Sequence, residues 1–242
     1  MERLEMNRTP TGSLKKEEDG WKKEVPLATF KLLVSVASLL AALYIFAAFA
    51  HEVFLEKEDE LDVHVLRWLK DRFSDGTFNL MRFFTFFGKP HFLVPAYMTL
   101  IGLYLARGKK AIALEIAITA VSSTLLLFGL KQVFRRDRPH LPIFEHLPGY
   151  SFPSGHALMS FVFCSLLIVL IWRDHWKDGW KWTLTIFLIL FSLVIGISRI
   201  ILQVHYASDV ICGFCLGYVW VFLSFWLLRK MERKMGDRKK EK

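Results

Sequence analysis

Six long apolar runs restrict the fold of this chain more than any other feature. They cover roughly residues 28–50, 90–106, 111–131, 156–172, 182–198 and 206–228. About 17 to 25 apolar residues cross the hydrocarbon layer of a bilayer as an α-helix. Since 53% of the 242 residues are hydrophobic and lie in blocks rather than stripes, the sequence predicts an all-α membrane protein built as a bundle of six transmembrane helices.

Polar segments flank these runs at both ends. Residues 1–27 hold six basic and six acidic side chains and are predicted to be a disordered cytoplasmic tail. Residues 229–242 hold eight basic and three acidic side chains and are predicted to be a basic cytoplasmic tail. Residues 28–228 between them form one predicted membrane domain. No small-residue cleavage site follows the first run, which predicts a retained span rather than a signal peptide.

The distribution of charge predicts the orientation in the membrane. Basic residues gather in residues 107–110, in the loop 173–181 and in the C-terminal tail, whereas residues 51–76 hold eight acidic and four basic residues. Because basic residues in short loops favour the cytoplasm, both termini are predicted to be cytoplasmic. The net charge of +9 lies mostly beside the spans, which favours contact with lipid headgroups and argues against nucleic-acid binding.

Residues 61–73, after the first span, have the pattern of an amphipathic helix. The apolar positions that mostly share one face are Val65, Leu66, Trp68, Leu69 and Phe73. This pattern predicts an interfacial helix in the first extracytoplasmic loop. Further along, Gly88-Lys89-Pro90 interrupts an apolar block, so the second span is predicted to start after the break at Pro90. A kinked hairpin there is favoured over a site for Lys89 or His91.

Three polar islands lie at the predicted outer ends of spans. The first runs from Lys131 to Arg138-Pro139, and the seven-residue spacing predicts that Lys131 and Arg138 rise from one face of a helix, with Pro139 favouring an extended Arg138. Basic residues usually favour the cytoplasmic side, so positive charge on the outer side suggests that a function requires this charge there. The alternative is a cluster of basic side chains that only anchors the helix.

More charged residues lie in or beside the same outer loop. They are Arg135, Arg136, His140, Glu145 and His146. Recognition of a second phosphate or a headgroup is one interpretation of these residues. A solvated loop is favoured over it.

The second island is Pro153-Ser154-Gly155-His156, at the start of the fourth span. Ser154 is predicted to cap the helix, and the backbone N–H groups around Gly155 are predicted to face an anion at the positive helix end. Taken alone, this pattern favours an ordinary helix cap over an anion site.

The third island joins Ser198-Arg199 to His205 and Asp209. His205 and Asp209 open the sixth span four residues apart, so they are predicted to lie one above the other on a helix. The carboxylate is then expected to accept the Nδ1–H of the imidazole and leave Nε2 as a basic lone pair. A buried histidine satisfied by an aspartate is the alternative. An ionisable group at membrane depth costs about 2.5–3.5 kcal/mol or more unless paired, which disfavours a purely structural pair.

The three motifs together, Lys-x6-Arg-Pro, Pro-Ser-Gly-His and Ser-Arg-x5-His-x3-Asp, resemble those of the type 2 phosphatidic acid phosphatase superfamily, over about residues 77–228. The resemblance implies that His205 is the nucleophile, that Asp209 fixes its tautomer and that His156 is the general acid and then the base. It further implies a phosphate site without metal or cofactor. The residues that would bind phosphate are Lys131, Arg138, Ser154, Gly155 and Arg199.

This resemblance implies an integral membrane lipid phosphatase that acts at the outer leaflet of a bacterial cytoplasmic membrane. The substrates expected are undecaprenyl pyrophosphate, phosphatidylglycerophosphate or phosphatidic acid, and a lipid A phosphatase is an alternative. A vanadate-dependent haloperoxidase is disfavoured by six spans without a large soluble domain. An anion transporter is disfavoured because the ionisable residues map to helix ends rather than the midplane. No oligomeric state is predicted.

Overall fold

The computed structural model describes residues 11–56, 60–69, 72–139 and 148–240, and all regular secondary structure in these ranges is helical. The helices are α1 (Thr11–Glu56), α2 (Glu60–Leu69), α3 (Asp75–Phe86), α4 (Pro90–Ala106), α5 (Lys110–Phe134), α6 (Gly155–Arg173), α7 (Asp178–Ile201) and α8 (Ala207–Lys240). The all-α class predicted from the sequence is confirmed.

Five helical segments among the described residues are long and apolar enough to cross a bilayer. They are Thr29–Leu55, Lys110–Phe134, Gly155–Arg173, Asp178–Ile201 and Ala207–Leu227. These segments coincide with five of the six predicted runs. The remaining run is α4, which has 17 residues and begins at Pro90, where the sequence predicts the break. A total of six spans stays a prediction.

The chain divides into two compact units after residue 41. The first unit contains the N-terminal part of α1, which begins at Thr11. Residues 11–27 are therefore helical where the composition predicts disorder, and leucine, lysine and glutamate in this stretch are good helix formers. Residues 1–10 of the predicted tail lie outside the described residues.

Helix α6 packs against both α7 and α8 in the second unit. Leu158 and Val162 of α6 form a buried cluster with Leu216 of α8. The start of α6 approaches α8 closely because residue 213 is a glycine, where a Cβ would lie 2.8 Å from the carbonyl oxygen of Ser154. This contact holds the second polar island directly against α8, the helix that carries Asp209 of the third island.

Helices α4 and α5 add a second layer of core beside α6. Leu93 and Tyr97 of α4 pack with Ile116 of α5 and with Leu166 of α6. On its outward side α5 exposes large apolar side chains, among them Leu125 with 67% of its surface accessible. Soluble proteins rarely expose a continuous apolar surface of this kind, whereas a bilayer covers it.

Helix α2 occupies the segment predicted to be an interfacial helix, and it ends at Leu69 rather than near Phe73. The helix packs against α8. Its Asp62 side chain is fully buried, while Trp68 is exposed. A location of α2 at a membrane surface stays a prediction, but its buried carboxylate ties it to the helical bundle.

Candidate active site

His205 lies in the short connection between α7 and α8, with a side chain that is 2% exposed. Its Nδ1 is 3.1 Å from Oδ2 of Asp209, in the first turn of α8. The same carboxylate oxygen accepts the backbone N–H of Tyr206 at 3.0 Å. A carboxylate held in this way accepts a hydrogen bond from Nδ1–H, as expected. His205 lies before α8 begins, however, so the prediction that the two residues lie one above the other on a helix is wrong.

The other ring nitrogen of His205 faces a cation. Nε2 lies 3.2 Å from Nη1 of Arg138. A guanidinium can only donate hydrogen bonds, so Nε2 must be the acceptor in this contact. The two contacts together define a neutral imidazole that carries its proton on Nδ1 and a lone pair on Nε2.

The electrostatic surroundings of His205 favour this neutral form. Burial lowers the pKa of His205 well below its usual value, and the positive charges of Arg138, Arg199 and Lys131 lower it further. A backbone hydrogen bond with Ser151 opposes them and raises the pKa. Near neutral pH the ring therefore keeps a free electron pair, as a nucleophile requires.

Arg138 is held by backbone carbonyls of two neighbouring segments. Its Nε donates to the carbonyl of Gly149 at 3.1 Å, and its Nη1 donates to the carbonyl of Val204 at 2.9 Å. Helix α5 ends at Phe134, because Arg135 takes the left-handed conformation with φ 46°. The prediction that Lys131 and Arg138 rise from one helical face is therefore wrong, since Arg138 reaches the site from extended chain.

Lys131 reaches the same place from the last turn of α5. Its Nζ donates to the carbonyl of Tyr150, a group that also accepts from Nη2 of Arg138 at 3.4 Å. A second contact joins Nζ to the carbonyl of Ser151 at 3.4 Å. Both cations of the first motif thus bind the segment that leads into α6, and they meet at the carbonyl of Tyr150. They do not meet by rising from one helical face.

Ser154 and Gly155 lie at the beginning of α6. The backbone N–H of Ser154 donates to the carbonyl of Asp209 at 2.9 Å. Ser154 occupies the cap position, but its hydroxyl makes no capping hydrogen bond, so the predicted side-chain cap is wrong. Among the described residues, the buried Ser154 Oγ has no hydrogen-bond partner at all.

His156 follows in the first turn of α6. Its Nε2 atom is buried and also has no partner among the described residues. The ring packs against Gly88, where a Cβ would lie only 2.7 Å from Cδ2 of the imidazole. Two buried polar atoms at the start of α6, Ser154 Oγ and His156 Nε2, are therefore without a hydrogen-bond partner among the described residues.

Arg199 enters from the end of α7 and is 3% exposed. Its Nη1 donates to Oγ1 of Thr85, a buried residue of α3, at 2.6 Å. No sequence pattern predicts a role for Thr85. A single threonine in an apolar segment carries no signal, and only the packing of α3 against α7 reveals the contact.

Arg136 is fully buried rather than solvated or free for a headgroup, so both interpretations of this residue are wrong. It pairs with Asp62 at 2.7 Å and with Asp209 at 2.9 Å. Burial is the largest single influence on the pKa of Arg136 and lowers it. The charges and hydrogen bonds of Asp209 and Asp62 together outweigh burial, so the pKa is raised. By contrast, Arg135 is exposed. The other three loop residues lie outside the described part of the chain: His140, Glu145 and His146.

All eight predicted site residues lie in the described part of the chain, where contacts join the three motifs. The model of the PAP2 superfamily matches residues 111–233, half of the chain. The chain belongs to the PAP2 superfamily. The resemblance seen in the three motifs is thereby confirmed.

Relatives within the PAP2 superfamily include enzymes that act on different lipid phosphates. Phosphatidylglycerophosphatase B of Bacillus subtilis is 31% identical over 118 residues, which cover 45% of this chain and 58% of that protein. Dolichyldiphosphatase 1 of Dictyostelium discoideum is 26% identical over 155 residues, which cover 58% of this chain and 68% of that protein. The match to the first of these relatives thus spans little more than half of its length.

A solved structure shares the fold. It is the crystal structure of a transmembrane PAP2 type phosphatidylglycerolphosphate phosphatase from Bacillus subtilis, with a TM-score of 0.71 at 23% sequence identity. The match covers 80% of this chain and 96% of the other. The helical arrangement is therefore that of a PAP2 membrane phosphatase.

Proposed function

We propose that this chain is an integral membrane lipid phosphatase that hydrolyses a phosphomonoester or a diphosphate through a phosphohistidine. The observation that carries the proposal is the state of His205, a buried and neutral imidazole with its lone pair beside Arg138. The resemblance and the PAP2 relatives supply the substrate class, a lipid phosphate.

In the first step, Nε2 of His205 attacks phosphorus and forms a P–N bond while the bond to the leaving oxygen breaks. His156 gives its proton to that oxygen, which departs as a lipid alcohol or a lipid phosphate. The contact between Arg138 and Nε2 has to open, and Nη1 then binds a phosphoryl oxygen instead. Asp209 stays ionised and stabilises the positive charge of the phosphorylated ring.

In the second step, His156 takes a proton from water, and the oxygen of that water attacks phosphorus. The P–N bond breaks, inorganic phosphate leaves, and His205 returns to its neutral form with both histidines ready for another cycle. Lys131, Arg138 and Arg199 offset the negative charge on the phosphoryl oxygens in both steps. The hydroxyl of Ser154 and the N–H of Gly155 complete this phosphate site at the start of α6.

The buried atoms without partners support phosphate binding at this place. A buried polar atom without a hydrogen bond costs about 1–3 kcal/mol, and a bound phosphoryl group would remove that cost for Ser154 Oγ and His156 Nε2. No carboxylate lies among the eight proposed site residues except Asp209, which already contacts His205 and Arg136. Cationic side chains would therefore replace a metal ion as the counter-charge.

Six spans are proposed, with α4 as the sixth. Its 17 residues extend about 25 Å, near the lower limit for crossing a bilayer. The charge distribution supports cytoplasmic termini and a site at the outer leaflet of a bacterial cytoplasmic membrane. Acyl or prenyl tails could stay in hydrocarbon while only the phosphate group enters the site.

The test is phosphate release by purified protein in detergent micelles. Undecaprenyl pyrophosphate, phosphatidylglycerophosphate, phosphatidic acid and lipid A form the panel, each assayed with excess chelator and without it. We expect release from at least one phospholipid or polyprenyl substrate, undiminished by chelator and abolished in His205→Ala. Release that needs added Mg²⁺ would contradict the metal-free mechanism, and release that persists in His205→Ala would contradict the assignment.

A further inference from the structure

Helix α2 contributes one fully buried carboxylate, that of Asp62, to the neighbourhood of His205 and Asp209. Oδ2 of Asp62 lies 2.7 Å from Nη2 of Arg136, and neither side chain is more than 1% exposed. Asp62 precedes all three motifs by many residues in the chain, and no sequence pattern links it to them. Only the packing of α2 on α8 brings it there.

Ser208 holds the carboxylate of Asp62 in a fixed orientation. Its backbone N–H donates to Oδ1 of Asp62 at 2.9 Å, and its hydroxyl donates to Oδ2. The same hydroxyl accepts a hydrogen bond from Nη1 of Arg136 at 2.7 Å. Both oxygens of Asp62 therefore have partners, as a buried carboxylate requires.

Arg136 connects Asp62 to the active site. Its Nη1 also donates to Oδ1 of Asp209 at 2.9 Å, and the guanidinium stacks on the ring of Tyr206 at 4.0 Å. Asp209 uses its other oxygen, Oδ2, to contact Nδ1 of His205. A continuous chain of contacts thus runs from Asp62 through Arg136 and Asp209 to His205.

The formal charges along this chain explain why a second carboxylate is present. Arg136 and Asp209 alone would form a neutral pair, and Asp209 would exert little negative potential on His205. With Asp62 included, the three side chains carry a net charge of −1, which remains available at Asp209. Inside a poorly solvated protein such a charge is felt strongly over short distances.

We infer that Asp62 is a positioning residue for His205: by balancing the charge of Arg136, it leaves Asp209 with the negative charge that orients and stabilises the imidazole. The inference rests on the proposed function, in which that imidazole becomes positively charged when it is phosphorylated. Asp62 itself touches no reacting atom and acts only through Arg136 and Asp209.

The charged groups around His205 show why this balance matters. They come from five directions: Asp209 of α8, Lys131 of α5, Arg199 of α7, Arg138 of the extended segment and the titratable His156 of α6. Cations outnumber the single carboxylate that contacts the ring. Any loss of negative potential at Asp209 therefore destabilises the phosphorylated, cationic ring directly.

The first test compares three substitutions in α2. Asp62→Asn keeps the shape but removes the charge, Asp62→Glu keeps the charge, and Glu60→Gln removes an exposed charge two residues away. For Asp62→Asn we expect kcat to fall at least about 10-fold with KM changed less than about 2-fold, a size typical of outer residues that orient a functional group. Asp62→Glu should recover part of the loss, and Glu60→Gln should match the unsubstituted protein.

The pH profile separates a charge effect from a structural one. His205 must be neutral to attack, so removing negative charge from the chain should move the acid limb of kcat/KM to lower pH in Asp62→Asn. Arg136→Gln makes the opposite change in charge and should move that limb to higher pH. An acid limb that stays in place in both variants would overturn the inference, whatever the loss of stability.

A readout without substrate distinguishes this inference from the proposed function. The Nδ1 proton of His205, assigned by its loss in His205→Gln, is followed by proton NMR in micelles. In Asp62→Asn, Asp209 should accept a weaker hydrogen bond from Nδ1–H, and the resonance should move upfield. Glu60→Gln should leave the resonance unchanged. If the resonance moves in Asp62→Asn but the unsubstituted protein hydrolyses none of the lipids, only the proposed function is refuted. If the protein is active but Asp62→Asn moves neither the resonance nor the acid limb, the role of Asp62 is refuted.

A variant that fails to fold does not remove the test. Asp62→Asn combined with Arg136→Gln restores the net charge of −1 and should return the acid limb to its original position. Ser208→Ala removes the hydroxyl that donates to Asp62 and accepts from Arg136, but it keeps the backbone N–H bond to Asp62 and changes no charge, so it should leave the limb in place. The inference would be contradicted if the acid limb shifts in Ser208→Ala, or if it does not move back toward its original pH in the double variant. Either result would show that the acid limb depends on hydrogen-bonded packing rather than on charge.

Discussion

The Nε2 atom of His205 lies 3.2 Å from Nη1 of Arg138, in a contact where only the imidazole can accept. The nucleophile proposed here is therefore prepared by the residue that would bind the phosphate. Arg138 has carbonyl contacts to Gly149 and Val204 that hold it in position when substrate separates it from the ring. In the proposed mechanism, Arg138 would exchange the imidazole for a phosphoryl oxygen as its acceptor, and substrate binding would thereby expose the lone pair of Nε2.

The two histidines should each be essential to turnover. His205→Ala removes the nucleophile and His156→Ala removes the general acid, so each should lower kcat at least about 100-fold, the lower range for a lost acid or base. Phosphate release from the best lipid of the panel measures the effect. Size-exclusion elution and circular dichroism should match those of the unsubstituted protein, and full activity in either variant would contradict its assigned role.

The acid limb of activity should lie at unusually low pH. Burial and the nearby cations lower the pKa of His205 well below its ordinary value of about 6.5. As the pH falls, the ring is protonated only when that lowered pKa is reached, so kcat/KM should persist below about pH 6.5. Initial rates measured in neutral detergent between about pH 4 and 8 provide the check, and a limb centred at or above about 6.5 would contradict the described surroundings of His205.

Gly88 should matter because of where His156 lies. A methyl group at this position would be 2.7 Å from the imidazole and 2.8 Å from Ile195, so Gly88→Ala must displace the general acid. We expect at least about a 10-fold loss of kcat, since misplaced catalytic groups lose rate steeply. Gly102→Ala in α4 is the matched control, because nothing lies within 4 Å of its added methyl group. Equal activities of the two variants would show that His156 is not held by this contact.

Thr85 should affect substrate binding through Arg199. Thr85→Val removes the hydroxyl that accepts from Nη1 of Arg199 at 2.6 Å and leaves a buried donor without that partner. We expect KM for the lipid phosphate to rise several-fold, with a smaller change in kcat. Thr99→Val is a control, since Thr99 is exposed and its hydroxyl donates only within α4. A KM that is unchanged in Thr85→Val would show that Arg199 does not depend on α3.

Much of the site follows from local spacing in the sequence. The interval of four residues between His205 and Asp209 specifies their contact, and Pro90 specifies where α4 begins, because both features act within a turn or two of chain. For Arg138, local reasoning from Pro139 predicts the extended chain that is found, whereas local reasoning from helical spacing fails. Its seven-residue distance from Lys131 suggests a shared helical face, but the left-handed Arg135 ends the helix first.

Long-range packing produces the features that spacing does not contain. Asp62 belongs to an acidic stretch that looks solvated in sequence, and Arg136 belongs to a basic cluster with the same appearance. Their ion pair removes both from solvent, which requires α2 to fold onto α8. No period or motif encodes that contact, so it becomes visible only when the helices are assembled.

Trapping the phosphorylated enzyme tests the central claim most directly. Protein mixed with phosphorus-32-labelled lipid phosphate is quenched in alkali within milliseconds, digested and mapped by mass spectrometry. We predict acid-labile, alkali-stable label on the peptide that contains His205, and no label in His205→Ala. In His156→Ala, the label should accumulate if hydrolysis of the phosphoenzyme slows more than its formation. Label on any other residue, or turnover with no labelled protein at any quench time, would contradict the account.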